Sequence, residues 1–203
     1  VVKGAPEDIL GLSAHYLSND EASDLLPLDE SARHSINALF ANLSLQGFRA
    51  LGIAYRDVEC SHAHAVVDDE SELIFAGFAA FLDRAKPEAG EALAQLSSRG
   101  EEVKVITGDN ERVTRYLCEQ LAIPVEGLLM GRDVALLDDH GLAAAVVNAN
   151  LFCRVTPAQK SRIILALRQR GRVVGFLGDG INDAPSLHAA DVSISVDTTV
   201  DVA

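Results

Sequence analysis

Three short segments of this sequence carry side chains that suit phosphoryl transfer. Asp179 and Asp183 lie in the octet GDGINDAP, Thr107 opens the triplet TGD, and Lys160 closes the run TPAQK. A transferring phosphoryl group spreads negative charge over its oxygens, so its catalysis consists mostly of positioning together with hydrogen-bond donors and cations. Thr107 and the backbone N–H of Gly108 can donate hydrogen bonds, and Lys160 can supply a fixed positive charge.

The two aspartates of the octet need a cation if they lie close together. At ~4 Å and an effective dielectric of about 20, two carboxylates repel each other by roughly 4 kcal/mol. Hard oxygen ligands that are few in number favour Mg²⁺, which keeps part of its water shell. We therefore expect Asp179 and Asp183 to bind Mg²⁺.

Each segment also has a simpler interpretation when it is taken alone. Asp-Gly and Asn-Asp are common turn sequences, and TGD can be an ordinary loop in which Asp109 or Asn110 caps the next helix. Lys160 alone would be a solvated surface lysine. The phosphoryl-transfer hypothesis depends on all of these residues following strands at one edge of a sheet.

From residue 74 onward, apolar runs of strand length alternate with amphipathic runs of helix length. The alternation predicts an α/β fold: a Rossmann-like parallel sheet with helices on both faces. Ligands of such sheets bind at the carboxyl ends of the strands, so Asp83, after the first strand, is expected at the same edge. The predicted strands are 74–82, 102–107, 150–155, 172–178 and 191–196, and the predicted helices are 87–99, 110–121, 157–170 and 183–190.

The character of the sequence changes near residue 75. Before it we expect two helices and then a strand, the second helix carrying apolar Ile36 and Phe40 and ending at Gly47. Residues 48–55 are the predicted strand, and 57–72 are predicted to form a loop. We therefore expect one domain in residues 1–75 and a second in 76–203.

Composition excludes several classes of partner. Lys and Arg number 17 against 30 Asp and Glu, a net charge of −13, which argues against binding to nucleic acid or to an anionic membrane surface. The three cysteines lack CxxC spacing, which is typical of a reducing compartment. The longest apolar run, 73–82, is shorter than the roughly 20 residues that span a bilayer. The sequence begins on Val1 without a signal-like segment, so we expect a piece of a longer protein.

The motifs together resemble the phosphorylation domain of P-type cation-transporting ATPases, members of the haloacid-dehalogenase-like superfamily. KGAPE at 3–7 and GFR at 47–49 resemble the motifs of the family's nucleotide-binding domain. LFCRV at 151–155 and ADVSISVD at 190–197 are most similar to the bacterial magnesium-importing branch.

The resemblance implies a haloacid-dehalogenase-like phosphorylation domain preceded by part of an α+β nucleotide-binding domain. It places Lys3 in the adenine pocket, with Arg49 on the phosphate or ribose side of ATP. Asp83 would stand at the hinge between the domains. Asp109 and Arg154 would lie near the ribose.

The resemblance also implies roles in the reaction. Thr107 and Gly108 would hold the phosphoryl oxygens, and Lys160 would neutralise the acyl phosphate. The Mg²⁺ site that it implies consists of Asp179, Asn182 and Asp183. The parent would be a multi-pass pump of a bacterial inner membrane, and this soluble segment would lie at its cytoplasmic face. The cation would cross the membrane through parts of the protein that this segment lacks.

Two features depart from the family's pattern. The DKTG sequence that carries the family's nucleophile is absent, so the isolated chain is expected to be inactive, and Asp83 is followed by Arg84-Ala85 instead of Pro-Pro. Two alternatives stay open at this point: a soluble phosphatase of the same superfamily, and a non-catalytic nucleotide-binding module. The phosphatase would need its own DxD nucleophile, which the sequence after Asp83 does not supply.

Overall fold

A computed structural model describes residues 1–18, 24–58, 69–178 and 183–195 of the chain. Asp179 and Asn182 of the predicted magnesium site lie outside these residues. The chain divides into two units, Val1–Arg84 and Ala85–Ala203.

The described residues of the first unit form a five-stranded sheet and two helices. The sheet has the order β1-β4-β5-β2-β3 and is antiparallel except where β2 pairs with β5. Its elements are β1 (Val2–Gly4), α1 (Pro6–Leu12), β2 (Ser13–Leu17), β3 (Leu25–Pro27), α2 (Glu30–Leu45), β4 (Phe48–Tyr55) and β5 (Leu73–Leu82).

Both helices of this unit pack on one face of the sheet. Ile9 of α1 joins Phe75 of β5 in the buried core, and the ring centroid of Phe40 in α2 lies 5.8 Å from that of Phe78 in β5. A Cβ at Gly52 would lie 2.9 Å from the Cβ of Ile9, so glycine at this position lets α1 approach β4. The opposite face of the sheet therefore carries neither helix.

The ends of α2 follow the sequence signals. A carboxylate oxygen of Asp29 accepts a hydrogen bond from the backbone of Ala32 at 2.8 Å, which caps the amino end. The chain leaves the carboxyl end through Gly47 with φ of +83°, a left-handed conformation that glycine adopts without a Cβ clash. The predicted helix end at Gly47 is confirmed. The strands β1, β2 and β3 were not predicted.

The strand predicted over 74–82 forms, but in a different sheet from the one expected. As β5 it pairs antiparallel with β4, from Phe48 opposite Leu82 to Tyr55 opposite Ile74. Its placement in a parallel sheet was wrong, because a continuous apolar run fits a buried strand of either kind. Asp83 therefore follows a strand of the first sheet, and the boundary predicted between residues 75 and 76 falls inside β5.

In the described residues of the second unit, the strands form two sheets, and every pairing within them is parallel. One has the order β6-β8-β7, and the other pairs β9 with β10. The elements are α3 (Pro87–Ser98), β6 (Val105–Ile106), α4 (Glu111–Gln120), β7 (Leu128–Met130), α5 (Gly131–Leu136), α6 (Asp139–Ala145), β8 (Leu151–Cys153), α7 (Pro157–Gln169), β9 (Gly175–Gly178), α8 (Ala184–Ala189) and β10 (Val192–Ser195).

Strand β8 is buried on both faces. Phe152 packs into a core with residues of α5, α6 and α7, whereas Leu151 and Cys153 pack against Cys118 of α4. Successive side chains of a strand point to opposite faces, so helices cover both sides of this three-stranded sheet. Parallel pairing with helices on both faces was predicted and is observed here. The described strands of this unit form two sheets, however, instead of the single sheet that was predicted.

Helix α7 connects the two sheets of this unit. Ile163 belongs to the core around β8, and Ile164 belongs to a separate core that contains Phe176 of β9. The predicted helices are confirmed in α3, α4, α7 and α8, and the strands β6, β8, β9 and β10 form within shorter ranges than predicted. No helix in the described part of the chain is both long and apolar enough to cross a membrane.

Candidate functional site

The loop after β6 is held beside the end of β8 by backbone hydrogen bonds. Thr107 donates to the carbonyl of Phe152 at 2.9 Å, and its own carbonyl accepts from Val155 at 3.2 Å. Further along, the N–H of Arg154 donates to the carbonyl of Asp109 at 2.9 Å. Thr107, Asp109 and Arg154, three of the predicted site residues, therefore lie together at the carboxyl ends of two parallel strands.

The side chains of this loop organise the start of α4. The hydroxyl of Thr107 accepts a hydrogen bond from the N–H of Asp109 at 3.1 Å. Asn110 caps the helix, its side-chain oxygen accepting from Arg112 and Val113 at 3.0 Å each. The cap predicted at 109 or 110 is thus Asn110. A hydroxyl that accepts one hydrogen bond can still donate its own hydrogen, as the phosphoryl role of Thr107 requires.

Arg154 adopts an uncommon backbone conformation. Its φ is +53°, in the left-handed region where an L-residue with a Cβ is strained. Its Nε lies 3.9 Å from a carboxylate oxygen of Glu111 in α4. Strained backbone of this kind clusters at functional sites, where the surrounding structure must hold it in place.

The first turn of α7 is fixed by a reciprocal cap. Thr156 donates its N–H to the side-chain oxygen of Gln159 at 2.9 Å, and the Thr156 hydroxyl accepts from the Gln159 backbone at 3.3 Å. The predicted capping box is confirmed. The amide of Gln159 also donates to the carbonyl of Gly131 at 2.8 Å, so α5 braces the turn that carries Lys160.

Lys160 forms an ion pair with Asp183. Its Nζ lies 2.6 Å from Oδ1 of Asp183, and the two side chains are only 16% and 13% exposed. Asp183 in turn packs against the end of β9, because a Cβ at Gly178 would lie 2.9 Å from the Cβ of Asp183. The sequence assigned Lys160 to an acyl phosphate and Asp183 to a metal, but gave no sign that the two side chains bond to each other.

The magnesium site remains a prediction. Asp179 and Asn182 lie outside the described residues, and within the described ranges no group of three or more His, Cys, Asp or Glu could hold a metal ion. Asp183 is the one member of the predicted metal set that the structure describes, and it lies at the carboxyl end of β9 beside Gly178.

In the first unit, Lys3 and Arg49 project from the same face of the sheet. Lys3 lies opposite Ile53 of β4, and Ile53 and Arg49 are four residues apart on that strand, so they share a face. That spacing separates the two cationic residues by about 13 Å along the strand. Both side chains are exposed, and the face is the one that α1 and α2 leave uncovered.

A buried thiol directly precedes Arg154. Burial raises the pKa of Cys153 to about 11, against an opposing hydrogen bond with Thr114, and burial likewise raises the pKa of Cys118. Only a thiolate is a good nucleophile or metal ligand, so at neutral pH these two thiols are unreactive core groups. The sequence pattern alone gave no indication that Cys118 and Cys153 belong to one buried cluster beside Arg154.

Known proteins resemble this chain in sequence. Residues 1–88 match the family described as "P-type ATPase, cytoplasmic domain N". Over its whole length the chain is 42% identical to a protein named "Magnesium-transporting ATPase, P-type 1" from Salmonella typhimurium and 39% identical to one of the same name from Escherichia coli. It is 35% identical, over 96% of its length, to "Cation-transporting ATPase pma1" from Synechocystis, of which it covers 21%.

The chain spans about a fifth of the length of these curated relatives, with 22% coverage of both magnesium-transporting ATPases. The similarity extends over both units, because it covers 100% of the chain and the family match ends at residue 88. The chain is thus similar over its whole length to P-type ATPases, and its first 88 residues match the family's cytoplasmic domain N.

Proposed function

We propose that the full-length protein is an ATP-driven pump that imports Mg²⁺ through an aspartyl-phosphate intermediate. The names of the relatives support ATP-driven cation transport and favour magnesium as the cargo. The first unit, to Arg84, would be the C-terminal part of a nucleotide-binding domain, and the second the C-terminal part of a haloacid-dehalogenase-like phosphorylation domain. The pump would lie in a bacterial inner membrane with both domains on its cytoplasmic face.

The ion pair of Lys160 and Asp183 is the observation that carries this proposal. A lysine held at 2.6 Å by a largely buried carboxylate keeps its charge at one position near the ends of parallel strands. That is the placement needed to neutralise an acyl phosphate in a reaction that depends on positioning and cations. Thr107 and Gly108 would donate hydrogen bonds to the phosphoryl oxygens.

The donors fit a magnesium ion by their chemistry. Asp179 and Asp183 offer hard carboxylate oxygens, and Asn182 adds an amide oxygen, which together suit Mg²⁺. When bound, the ion would supply positive charge to the phosphoryl oxygens. Lys160 already bonds Oδ1 of Asp183, so Asp183 would serve both the ammonium group and the ion.

Each unit carries its own predicted nucleotide-binding residues. Lys3 would contact the adenine and Arg49 the ribose or phosphate side, both from the helix-free face of the first sheet. Asp109 and Arg154 would contact the ribose, and Asp83 would act at the hinge. Only part of the pocket is present in this sequence, so ATP should bind the isolated chain with a Kd of about 1 mM, roughly −4 kcal/mol.

The phosphatase alternative loses support from the first sheet. A phosphatase would need a nucleophile after a strand of its parallel sheet, whereas Asp83 follows β5, which pairs antiparallel with β4. A nucleotide-binding module without turnover describes how the isolated chain should behave. The nucleophile of the pump would come from a DKTG segment that this sequence lacks.

Acid-stable phosphorylation tests the proposal. The full-length protein in membranes, incubated with γ-labelled ATP, should retain label after acid precipitation and lose it to hydroxylamine. Lys160→Ala should reduce the label strongly, whereas Arg170→Ala, an exposed cation at the end of the same helix, should leave it unchanged. The isolated chain should retain none. Full labelling of the Lys160→Ala protein would contradict the assigned role.

A further inference from the structure

We propose that Phe81 is a positioning residue that holds the guanidinium of Arg49 over the nucleotide. The inference rests on the proposed nucleotide site and adds to it a residue that none of the motifs contains. Phe81 lies directly opposite Arg49 in the antiparallel pairing of β4 and β5. Directly opposed residues have Cβ atoms about 5 Å apart, on the same face of the sheet.

The environment of Phe81 differs from that of the other phenylalanines of its strand. Phe75 is buried, and its ring packs edge-on to that of Phe78 at a centroid distance of 5.1 Å, on the face that α1 and α2 cover. Phe81 is 56% exposed and lies on the other face. A ring that is largely exposed to water contributes little to the core. Core packing therefore does not explain why a phenylalanine stands at this position.

The neighbours of Phe81 leave room above this part of the sheet. Next along the strand pair, Ala79 lies opposite Leu51, and beyond them Gly77 lies opposite Ile53. The methyl group of Ala79 and the bare backbone of Gly77 leave the β5 side of this surface low, while Leu51 stands on the β4 side. Phe81 and Arg49 lie at one end of it. A nucleotide lying on this surface would meet Arg49 beside the ring of Phe81.

An aromatic ring can order an arginine without bonding to the ligand itself. A guanidinium group stacks on an aromatic face, and an exposed pair of this kind gains about 0.5–1 kcal/mol, a factor of two to five in an equilibrium constant. An arginine restrained in this way loses less side-chain entropy when it binds an anion. Phe81 should therefore strengthen the binding of phosphate-bearing ligands through Arg49, and leave the binding of the base unaffected.

The test compares ADP with adenosine in the full 203-residue chain. Dissociation constants come from NMR titration of the Phe81→Leu variant, which keeps an apolar side chain and removes the ring. We expect ADP to bind about two- to fivefold more weakly and adenosine to bind as in the wild type. In an Arg49→Ala background the Phe81→Leu change should have no further effect on ADP.

A tryptophan variant provides rescue and a direct signal. The sequence contains no Trp, so Phe81→Trp introduces a single indole fluorophore that keeps a ring beneath Arg49. This variant should bind ADP at least as tightly as the wild type, and its emission should change when Arg49→Ala is added. Leu45→Ala, at an apolar side chain that is 63% exposed on α2, is the control and should alter neither ligand.

Three other results would each overturn the inference, and they can be told apart. If Phe81→Leu binds ADP as the wild type does, Phe81 has no positioning role while the nucleotide site stands. If adenosine weakens as much as ADP, the ring contacts the base directly. If the wild-type chain shows no shifts on this face at millimolar ADP, the proposed nucleotide site fails and the inference fails with it.

Discussion

Lys160 and Asp183 lie 23 positions apart in sequence, yet Nζ of the lysine and Oδ1 of the aspartate are 2.6 Å apart. Helix α7 presents the lysine from its first turn, and the segment after β9 presents the carboxylate. Neither side chain is more than 16% exposed, so each is the main compensation for the other's loss of hydration. The charge of Lys160 is therefore linked to the stability of the second unit.

Removing the lysine should destabilise the second unit. Lys160→Met keeps the length of the side chain but leaves Asp183 without its cation, and we expect a loss of about 2–3 kcal/mol, below that of a fully buried pair. Urea denaturation measures it. Adding Asp183→Asn should recover part of the loss, because no unpaired charge then remains. Equal stability of the double and single variants would show that the unpaired carboxylate of Asp183 is not the source of the loss.

Gly131 at the start of α5 should not tolerate a side chain. A Cβ there would lie 2.1 Å from the backbone oxygen of Arg154, and backbone cannot move aside as a side-chain tip can. Gly131→Ala should cost at least about 2 kcal/mol. Gly90→Ala in α3, where nothing lies within 4 Å, should instead add about 0.5–1 kcal/mol through helix propensity. The two variants should shift the urea midpoint of the second unit in opposite directions.

The parts of the fold that depend on local chemistry could be predicted from the sequence. The cap at Asn110, the capping box at Thr156 and the left-handed Gly47 are each decided by residues within one helical turn. The ion pair of Lys160 with Asp183 could not be predicted, because it depends on how α7 packs against the segment after β9.

Other elements were missed or misplaced because of their short length or because an apolar run does not specify its pairing partner. Helices α5 and α6 have six and seven residues and β7 has three, too few to establish an apolar period. The strand that pairs with β5 is β4, which ends at Tyr55, well before β5 begins at Leu73, and an apolar run cannot specify such a distant partner. For the candidate site, the order of the motifs suggested which residues lie close together. Backbone hydrogen bonds of Thr107 and Arg154 explain how the loop after β6 is held beside the end of β8.

The raised pKa of Cys153 predicts loss of stability at alkaline pH. The folded-state value of about 11 lies above the ordinary 9.0, so the unfolded chain releases its proton first. The contribution of the buried thiol is complete below pH 9 and falls between pH 9 and 11, by about 2–3 kcal/mol.

Urea titrations from pH 8 to 11 would measure this effect. The difference in stability between the wild type and Cys153→Ala should shrink over that interval, as the wild type loses the contribution that the variant never had. Val155→Ala, which also removes a buried group, should show a difference that does not change with pH. A pH-independent difference for Cys153→Ala would mean that the thiol ionises in the folded protein as easily as in the unfolded chain.

The backbone of Arg154 gives a prediction that separates strain from function. With φ at +53°, a residue with a Cβ is strained and glycine is not, so Arg154→Gly should be more stable than Arg154→Ala by about 1 kcal/mol. At Arg115, exposed within α4, the order should reverse, with the glycine variant about 1 kcal/mol less stable than the alanine variant. Both Arg154 variants lack the guanidinium, so their ADP affinities should fall equally despite the difference in stability. If the alanine variant at Arg154 proved as stable as the glycine variant, the left-handed conformation would not be a source of strain.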